Sequence, residues 1–246
     1  MHVIEDKSKR MNVSWGGFNV VQATLYALQH IVGPGFSLPN FDWIVTLSAY
    51  TYPLVSNEEI RGRLARYPAD TNFLEIAPNG NNPALRTWHH FVECDHAMRR
   101  IWRLATPRGV TMYAGSQWMV VTRAFAEYVA PAADANGPPH DRATAVVSSA
   151  NAGRGVRGRD RGHENSFAVA YARYGRHTMV ADENYFSTTM KNSRMCHTHE
   201  NTNFLHVQFD QYEHQKDSHK AGAVVQNKCL MPNPNHCGRS PTVVSG

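Results

Sequence analysis

Asp182 and Glu183 are the residues whose types and position most directly suggest chemistry. A carboxylate can take the proton of a hydroxyl group that attacks a second molecule, so either residue is a candidate general base. Both stand just before a short helix-compatible segment at 186–193. A carboxylate in that position also interacts favourably with the helix dipole without doing chemistry. The residues alone leave both interpretations open.

Basic and glycine-containing positions are candidates for holding an anionic ligand. Lys216 and Lys220 carry positive charge that could offset the charge of an anionic ligand, although a solvated loop explains them as well. The turn Trp15-Gly16-Gly17 precedes a helical pattern, and glycine there lets the backbone approach a ligand closely. A helix entry with the tryptophan in the core explains this turn equally well.

A second candidate binding surface is Gly115-Ser116-Gln117-Trp118, which precedes a predicted strand at 119–121. An apolar wall with a few polar groups suits the binding of a sugar. The alternative is that this tryptophan belongs to the core.

A helix and two strands must position these residues. Apolar residues recur at helical spacing from residue 17 to about residue 32, which predicts an amphipathic helix. The runs at 41–47 and 72–76 are rich in aromatic and β-branched residues and predict buried strands. Between them, Ser56 and Glu59 have capping-box spacing and predict the start of a second helix.

The order strand, helix, strand favours a parallel crossover and places the chain in the α/β class. Ligands of such sheets bind at the carboxyl ends of the strands, and Ser48 and Thr51 follow the first predicted strand. Antiparallel additions to this sheet remain possible. The strand at 119–121 is followed by a predicted short helix at 124–129.

Length and composition predict one domain with an irregular insertion. The 246 residues are 42% hydrophobic, which is enough for one sizeable core. Residues 131–165 hold prolines, glycines and an arginine cluster, so we expect a disordered loop or insertion there. The net charge of +5 suits an anionic partner. The arginine cluster lacks the interleaved aromatic residues of a nucleic-acid platform, so we expect no nucleic-acid partner.

Cysteine usage and hydropathy exclude further classes. The four cysteines are too few for a disulfide scaffold and lack the spacing of a zinc site. No stretch reaches the roughly 20 apolar residues that span a bilayer, and the charged first residues do not fit a signal peptide. We therefore expect membrane association only through an anchor that this sequence lacks.

Four motifs in one order carry a resemblance to a known family: Trp15-Gly16-Gly17; the run at 41–48 followed by Tyr52-Pro53; Gly115-Ser116-Gln117-Trp118; and Asp182-Glu183-Asn184-Tyr185-Phe186. Together they resemble the peptide O-xylosyltransferases and core-2 β-1,6-N-acetylglucosaminyltransferases of glycosyltransferase family 14. The runs at 91–95 and 237–241 look more like the xylosyltransferase branch. The resemblance covers roughly residues 13–130 and 171–245 and indicates a partial glycosyltransferase domain over 13–245.

The resemblance implies a GT-A-like fold, with a mostly parallel sheet flanked by helices and without the first nucleotide-binding β-α-β segment. It also implies inversion at the anomeric carbon without a metal, with Glu183 as the base and Asp182 in an orienting or capping role. No cofactor is expected, because the UDP-sugar is a substrate. The positions that the resemblance assigns to donor or acceptor binding are Trp15, Gly16, Gly17, Ser48, Thr51, Gly115, Ser116, Gln117, Trp118, Asp182, Lys216 and Lys220.

The function that this resemblance implies is transfer of xylose from UDP-xylose to a serine of a protein or to a glycan hydroxyl. Donors carrying N-acetylglucosamine or glucuronic acid are the first alternative, and a non-catalytic remnant that binds a glycan or a partner is the second. The family further implies a type II protein of the Golgi or secretory-pathway membrane. It also implies a disulfide between Cys229 and Cys237, and leaves Cys196 unpaired here.

One position departs from the family pattern. Thr51 stands where family members carry Asp before the Tyr-Pro or Phe-Pro pair. Threonine can form hydrogen bonds but supplies no negative charge, so this position puts either substrate orientation or the local structure in question.

Overall fold

The computed structural model describes residues 11–34, 36, 40–77, 88–94, 97–103, 105–107, 109–134 and 167–206. The α-helices in this part are α1 (Asn19–Val32), α2 (Asn57–Leu64), α3 (Arg123–Val129), α4 (Phe167–Gly175) and α5 (Tyr185–Lys191). The strands are β1 (Trp43–Val45), β2 (Asn72–Ile76), β3 (His89–Cys94), β4 (Ala97–Arg103), β5 (Gly115–Thr122) and β6 (His199–Glu200). Short 3-10 helices cover Ala130–Asp134, Ala181–Glu183 and Cys196–Thr198.

The main sheet has the strand order β1-β5-β2-β6. β5 pairs antiparallel with both β1 and β2, whereas β6 pairs parallel with β2. β1, β2 and β6 therefore run in one direction, and β5 runs between two of them in the other.

The expectation of a mostly parallel sheet is not confirmed, because the described sheet is mixed. β1, α2 and β2 follow one another as predicted, and the two strands are parallel to each other. They are not neighbours, however, because β5 lies between them and supplies the hydrogen bonds of both. β5 begins 39 residues after the end of β2 and lies between the two strands of the predicted crossover.

The first predicted helix is confirmed as α1. Its buried residues Val21, Leu25 and Leu28 follow the helical spacing of the sequence and face the core. The side chain of Gln22 is also buried, and its Nε2 donates to the carbonyl of Ala133 over 2.6 Å. This bond joins α1 to the 3-10 helix that follows α3.

The second predicted helix begins at its predicted cap. The hydroxyl of Ser56 accepts a hydrogen bond from the backbone N–H of Glu59 over 3.2 Å, which satisfies one of the free donors of the first turn. The carboxylate of Glu59 bonds Arg63 instead of returning to the cap, at 2.6 Å. Only half of the capping box is therefore formed.

The sheet carries a core on each face. On one face Leu74, Met119 and Val121 pack against α1, α3, α4 and α5 in the larger core. On the other face Phe73 and Val120 pack against Leu64 of α2. The alternation along β2 and β5 is that of strands buried on both faces.

A stack of buried aromatic rings fixes α4 against α5. The rings of Tyr171 and Tyr185 lie 5.8 Å apart and nearly parallel. The hydroxyl of Tyr185 donates to the carbonyl of Ala168, and that of Tyr171 donates to the side chain of Asn184. The start of α5 is thereby held in a rigid, buried position.

The hairpin of β3 and β4 is a separate two-stranded sheet that the sequence patterns did not predict. Phe91 donates its backbone N–H to the carbonyl of His177 over 2.9 Å. The rings of His90 and His177 lie 4.2 Å apart. The hairpin therefore packs against the segment between α4 and α5.

The predicted start of the loop or insertion at 131–165 is four residues too early. Residues 131–134 belong to the 3-10 helix after α3, where Ala132 and Ala133 are buried in the larger core. Residues 135–166 lie outside the described residues, as does everything after residue 206. None of the helices in the described ranges is both long and apolar enough to cross a bilayer.

Candidate active site

One edge of the main sheet gathers two of the motifs. β1 and β2 end at this edge and β5 begins there. The hydroxyl of Thr46, just after β1, donates to the carbonyl of Met119 over 3.0 Å and accepts the N–H of the same residue over 2.7 Å. The strand-end motif after β1 and Gly115-Ser116-Gln117-Trp118 are therefore neighbours.

Thr51 closes the turn after β1 through its hydroxyl. Its Oγ1 lies 2.8 Å from the hydroxyl of Ser48 and accepts the N–H of Ser48 over 3.3 Å. The hydroxyl of Ser48 in turn accepts the N–H of Tyr50 over 3.2 Å. Threonine thus supplies the hydrogen bonds that hold the turn, and what it lacks is the negative charge of the family's aspartate.

The motif at the start of β5 forms a β-bulge. Leu74 pairs with Met119 and Ile76 with Gly115, so Ser116, Gln117 and Trp118 face the single residue Glu75 on β2. The hydroxyl of Ser116 accepts the N–H of Trp118 over 3.1 Å and closes the bulge locally. Bulges of this kind change the direction of side chains and are common beside active sites.

Gly115 is required by the approach of β2. A Cβ atom at this position would lie 2.0 Å from the carbonyl oxygen of Glu75. The glycine is therefore needed for the packing of the two backbones, which is a structural role, whatever its part in binding. Trp118 lies partly exposed, one alternation from Val120, so its register places it on the α2 side of the sheet.

Glu183 ends the 3-10 helix that leads into α5. Its backbone N–H donates to the carbonyl of Val180 over 3.2 Å, and its side chain is partly exposed, as is that of Asp182. The acidic pair precedes Asn184, the residue before the first turn of α5. The 3-10 helix lies against β5, and Tyr113, just before β5, is bonded to Thr188 of α5.

The first glycine turn lies beside this acidic segment. The N–H of Val180 donates to the carbonyl of Gly16 over 2.8 Å. Gly16 has φ +77° and Val180 has φ +55°, a conformation that costs a β-branched residue free energy and is typical of functional sites. Trp15 is 78% exposed, so its alternative placement in the core is wrong.

Glu93 of β3 holds the same turn from the other side. Its Oε1 accepts the N–H of Ser14 over 3.2 Å, and its Oε2 would lie 2.7 Å from a Cβ atom on Gly17. The sequence marked this residue only through its family-like neighbours, and the contact spans 79 positions of the chain. No local pattern could have revealed it.

These contacts form a continuous series. The Trp15 turn bonds Val180, the Ala181–Glu183 helix lies against β5, and the bulge of β5 adjoins the turn at Ser48 and Thr51. The backbones of four motifs that lie far apart in the sequence are thus linked, although Trp118 lies on the α2 side of the sheet and Ala181, beside Glu183, packs on the other face. Aromatic side chains commonly line ligand sites, and a carboxylate can take a proton.

The end of β6 adds two amides to this edge that the sequence did not indicate. Asn201 accepts the N–H of Ile76 over 2.7 Å, and Asn203 donates to the carbonyl of Trp118 at 3.5 Å. These bonds replace strand pairing where β6 is only two residues long. They fix the backbone around the bulge.

The burial of Lys191 was also not predicted from the sequence. Lys191, at the end of α5, is 2% exposed, and its Nζ lies 3.3 Å from Nδ1 of His199. The Nε2 of His199 bonds the carbonyl of Leu74 over 2.8 Å, so this ring nitrogen is the donor and Nδ1 is the acceptor. Burial lowers the pKa of Lys191 to about 8 and that of His199 to about 4.

Other expected residues are not placed. Lys216, Lys220, Cys229 and Cys237 lie outside the described residues. Cys196 is disulfide-bonded, so the expectation that it is unpaired is wrong. Within the described ranges, no three His, Cys, Asp or Glu side chains lie close enough together to hold a metal ion.

A cavity of about 470 Å³ lies on the α2 face of the main sheet. It is lined by Arg63 of α2, by Arg66 and Tyr67 just after this helix, and by Phe204. Tyr67 and Phe204 both pack on Phe73, so the cavity is on the α2 face of the sheet. Ala181 and Tyr185 pack on the other face, and the cavity is therefore separate from the glutamate site.

The relatives of this chain among known proteins include xylosyltransferases. The chain is 25% identical to xylosyltransferase 1 of Rattus norvegicus over 239 residues, which cover 95% of this chain and 23% of that protein. Xylosyltransferase 2 of Canis lupus familiaris is 34% identical over 124 residues, and that of Homo sapiens 33%, each covering 49% of this chain. The chain thus spans between 14% and 23% of the length of these relatives.

The family comparison covers most of the chain. The profile of the Core-2/I-Branching enzyme family matches residues 5–230, which include all four motifs and the acidic pair. The described contacts among these motifs lie within the matched range. The chain belongs to the Core-2/I-Branching enzyme family.

Proposed function

We propose that this chain carries the catalytic site of an inverting glycosyltransferase that moves xylose from UDP-xylose to a serine hydroxyl of a protein or to a glycan hydroxyl. The observation that carries the proposal is the contact between the Trp15 turn and the segment of Glu183, through the bond from Val180 to Gly16. It places the turn that carries the exposed Trp15 next to Val180, three residues before the candidate base. The similarity to xylosyltransferases supports the choice of sugar.

Glu183 acts as the general base in this proposal. The acceptor oxygen attacks the anomeric carbon on the face opposite to the diphosphate, and the carboxylate takes the proton of the acceptor hydroxyl. The new bond joins the acceptor oxygen to the anomeric carbon. The bond from that carbon to the phosphate oxygen breaks, and UDP leaves with the electron pair. The anomeric centre is inverted once.

The charge that develops on UDP needs a cationic partner. We assign this role to Lys216 and Lys220, on the sequence pattern alone, and expect no metal ion. Asp182 orients the base or caps the segment. Ser48, Thr51 and the bulge at Ser116 to Trp118 would line the substrates at the strand ends, as in a GT-A fold. Three strands that run in one direction towards this edge support that arrangement.

A secretory-pathway location, in the Golgi, is part of the proposal. A disulfide at Cys196 is of the kind that persists in oxidising compartments. Asn12-Val13-Ser14 is a glycosylation sequon, which has a meaning only in such a lumen. Membrane attachment would come from an anchor outside this sequence.

The donor is tested by measuring UDP release with a serine-glycine peptide as the acceptor. UDP-xylose, UDP-N-acetylglucosamine and UDP-glucuronic acid are compared at equal concentration. We expect UDP-xylose to give the highest kcat/KM, because the relatives are xylosyltransferases. A higher value for another donor would contradict the xylose assignment and leave the glycosyltransferase proposal intact.

A non-catalytic remnant is the second candidate, and Thr51 is the observation that favours it. The turn after β1 keeps its hydrogen bonds but has lost the family's carboxylate. A chain that binds a glycan or UDP but releases no UDP from any of the three donors would support this candidate over the enzyme.

A further inference from the structure

Glu93 is not among the positions assigned to substrate binding or catalysis above, and it contacts the turn Trp15-Gly16-Gly17, which is bonded to Val180. Its carboxylate is partly buried, and each oxygen has a separate relation to the turn. Oε1 accepts the N–H of Ser14 over 3.2 Å, and Oε2 fills the space beside Gly17 where a Cβ atom would stand. The turn closes on itself through the bond from the N–H of Gly17 to the carbonyl of Ser14, over 3.0 Å.

The hairpin that carries Glu93 is fixed at its other end to the segment before the base. The N–H of Phe91 bonds the carbonyl of His177 over 2.9 Å, and His90 packs its ring on that of His177. Three residues later, Val180 bonds the carbonyl of Gly16. The hairpin therefore contacts two sites that are themselves in contact. Its residues 90 and 91 contact His177, and Glu93 contacts the turn to which Val180, three residues after His177, is bonded.

We infer that Glu93 is a positioning residue: its carboxylate fixes the Trp15-Gly16-Gly17 turn against Val180 and so sets the position of Glu183. The inference rests on the proposed function, because it assigns Glu93 a role in the chemistry of Glu183. Glu93 is not a catalytic residue, since it acts through the turn. Val180 has a left-handed conformation, which is unfavourable for a β-branched residue, and its N–H is bonded to the carbonyl of Gly16. Loosening the turn therefore loosens the residue from which the 3-10 helix of Glu183 begins.

The two glycines of the turn provide a matched pair of variants. Gly17 has no positive φ, so Gly17→Ala is opposed mainly by the carboxylate of Glu93, with 2.7 Å between Oε2 and the new Cβ atom. Gly16 has φ +77°, and the nearest atom to its Cβ position is 3.5 Å away. Gly16→Ala is therefore opposed by backbone strain, which does not depend on Glu93.

The experiment measures kcat and the hydrogen exchange of the Val180 amide in the full chain and its variants. Glu93→Ala should lower kcat by about tenfold and speed exchange at Val180, because misplacing a catalytic group is costly. Glu93→Gln keeps the oxygen that accepts from Ser14 and should stay within about threefold of the wild-type kcat. A merely structural carboxylate would lower the melting temperature of Glu93→Ala and leave kcat per folded molecule unchanged.

A double-mutant cycle completes the test. Gly17→Ala should lower kcat much less in the Glu93→Ala background than in the wild type. Gly16→Ala should lower kcat by the same factor in both backgrounds. Equal costs for Gly17→Ala in both backgrounds, or unchanged exchange at Val180 in Glu93→Ala, would overturn the inference. If the wild-type chain releases no UDP, the proposed function fails, and exchange at Val180 alone decides whether Glu93 fixes the turn.

Discussion

At the scale of single residues, Lys191 is the least expected feature of the interior. A buried ammonium group loses its hydration, and the described residues around it offer His199 as the hydrogen-bond partner. Burial lowers the pKa of Lys191 from 10.5 to about 8. At neutral pH the charged form therefore costs the folded protein stability, and this cost disappears when the amine loses its proton.

The pH dependence of this cost has a definite sign. Above pH 8 the folded chain releases the Lys191 proton, whereas the unfolded chain keeps it up to about pH 10.5, so the folded state gains stability through this window. We predict that the free energy of unfolding of the wild type rises relative to that of Lys191→Met by roughly 1–3 kcal/mol across it. Urea unfolding at steps from pH 7 to about pH 10.5 measures the difference.

A control separates burial from charge alone. Arg63 lies on the exposed face of α2, with its side chain 52% exposed. The free energy of unfolding of Arg63→Met should differ from that of the wild type by the same amount at every pH. If the difference between Lys191→Met and the wild type were also independent of pH, the lysine would not be held in a buried, desolvated position.

At the scale of elements, the start of β5 decides how the sheet and the site fit together. The bulge takes up three residues of β5 opposite one residue of β2, and Gly115 allows the two backbones to approach at its first position. The same bulge places Trp118 beside the strand end that carries Ser48 and Thr51. Stability, and in the proposed function substrate binding, therefore depend on one short segment.

Gly115→Ala tests this dependence. The added Cβ atom would lie 2.0 Å from a backbone oxygen, which cannot move without breaking the pairing of β2 with β5. We predict a loss of about 2–4 kcal/mol in the free energy of unfolding, measured by urea denaturation at neutral pH. Gly62→Ala is the matched control, because a Cβ atom there meets nothing within 4 Å. That variant should stabilise α2 by about 0.5–1 kcal/mol. Equal effects of the two substitutions would contradict the close approach.

The elements that could be predicted are those whose signals are local. The cap at Ser56, the apolar spacing of α1 and the run that forms β2 each reside in a few neighbouring residues, and the structure confirms them. The hairpin of β3 and β4 was missed, because β4 is exposed over Arg99 to Arg103 and has no alternation of apolar and polar residues. The mixed sheet was missed because the insertion of β5 between β1 and β2 is a long-range pairing.

At the scale of the whole molecule, the site is an assembly of segments from both halves of the chain. Motif order indicated the family, and the match over residues 5–230 confirms that membership. The contacts between motifs, from Gly16 to Val180 and from Glu93 to Ser14, could not be read from the sequence, since each joins residues more than 75 positions apart. The four motifs could be recognised from the sequence, but the contacts between them could not be predicted from it.

In the proposed function, Glu183 removes the proton of the acceptor hydroxyl. The most direct test is the kcat for UDP release at saturating UDP-xylose and peptide, for the wild type, Glu183→Gln and the neighbouring control Asp182→Asn. We predict that Glu183→Gln loses about 100-fold or more in kcat, as expected when a general base is removed, while UDP binding and the melting temperature stay close to the wild type. Asp182→Asn should lose less. A Glu183→Gln chain that keeps the wild-type kcat would show that Glu183 is not the base.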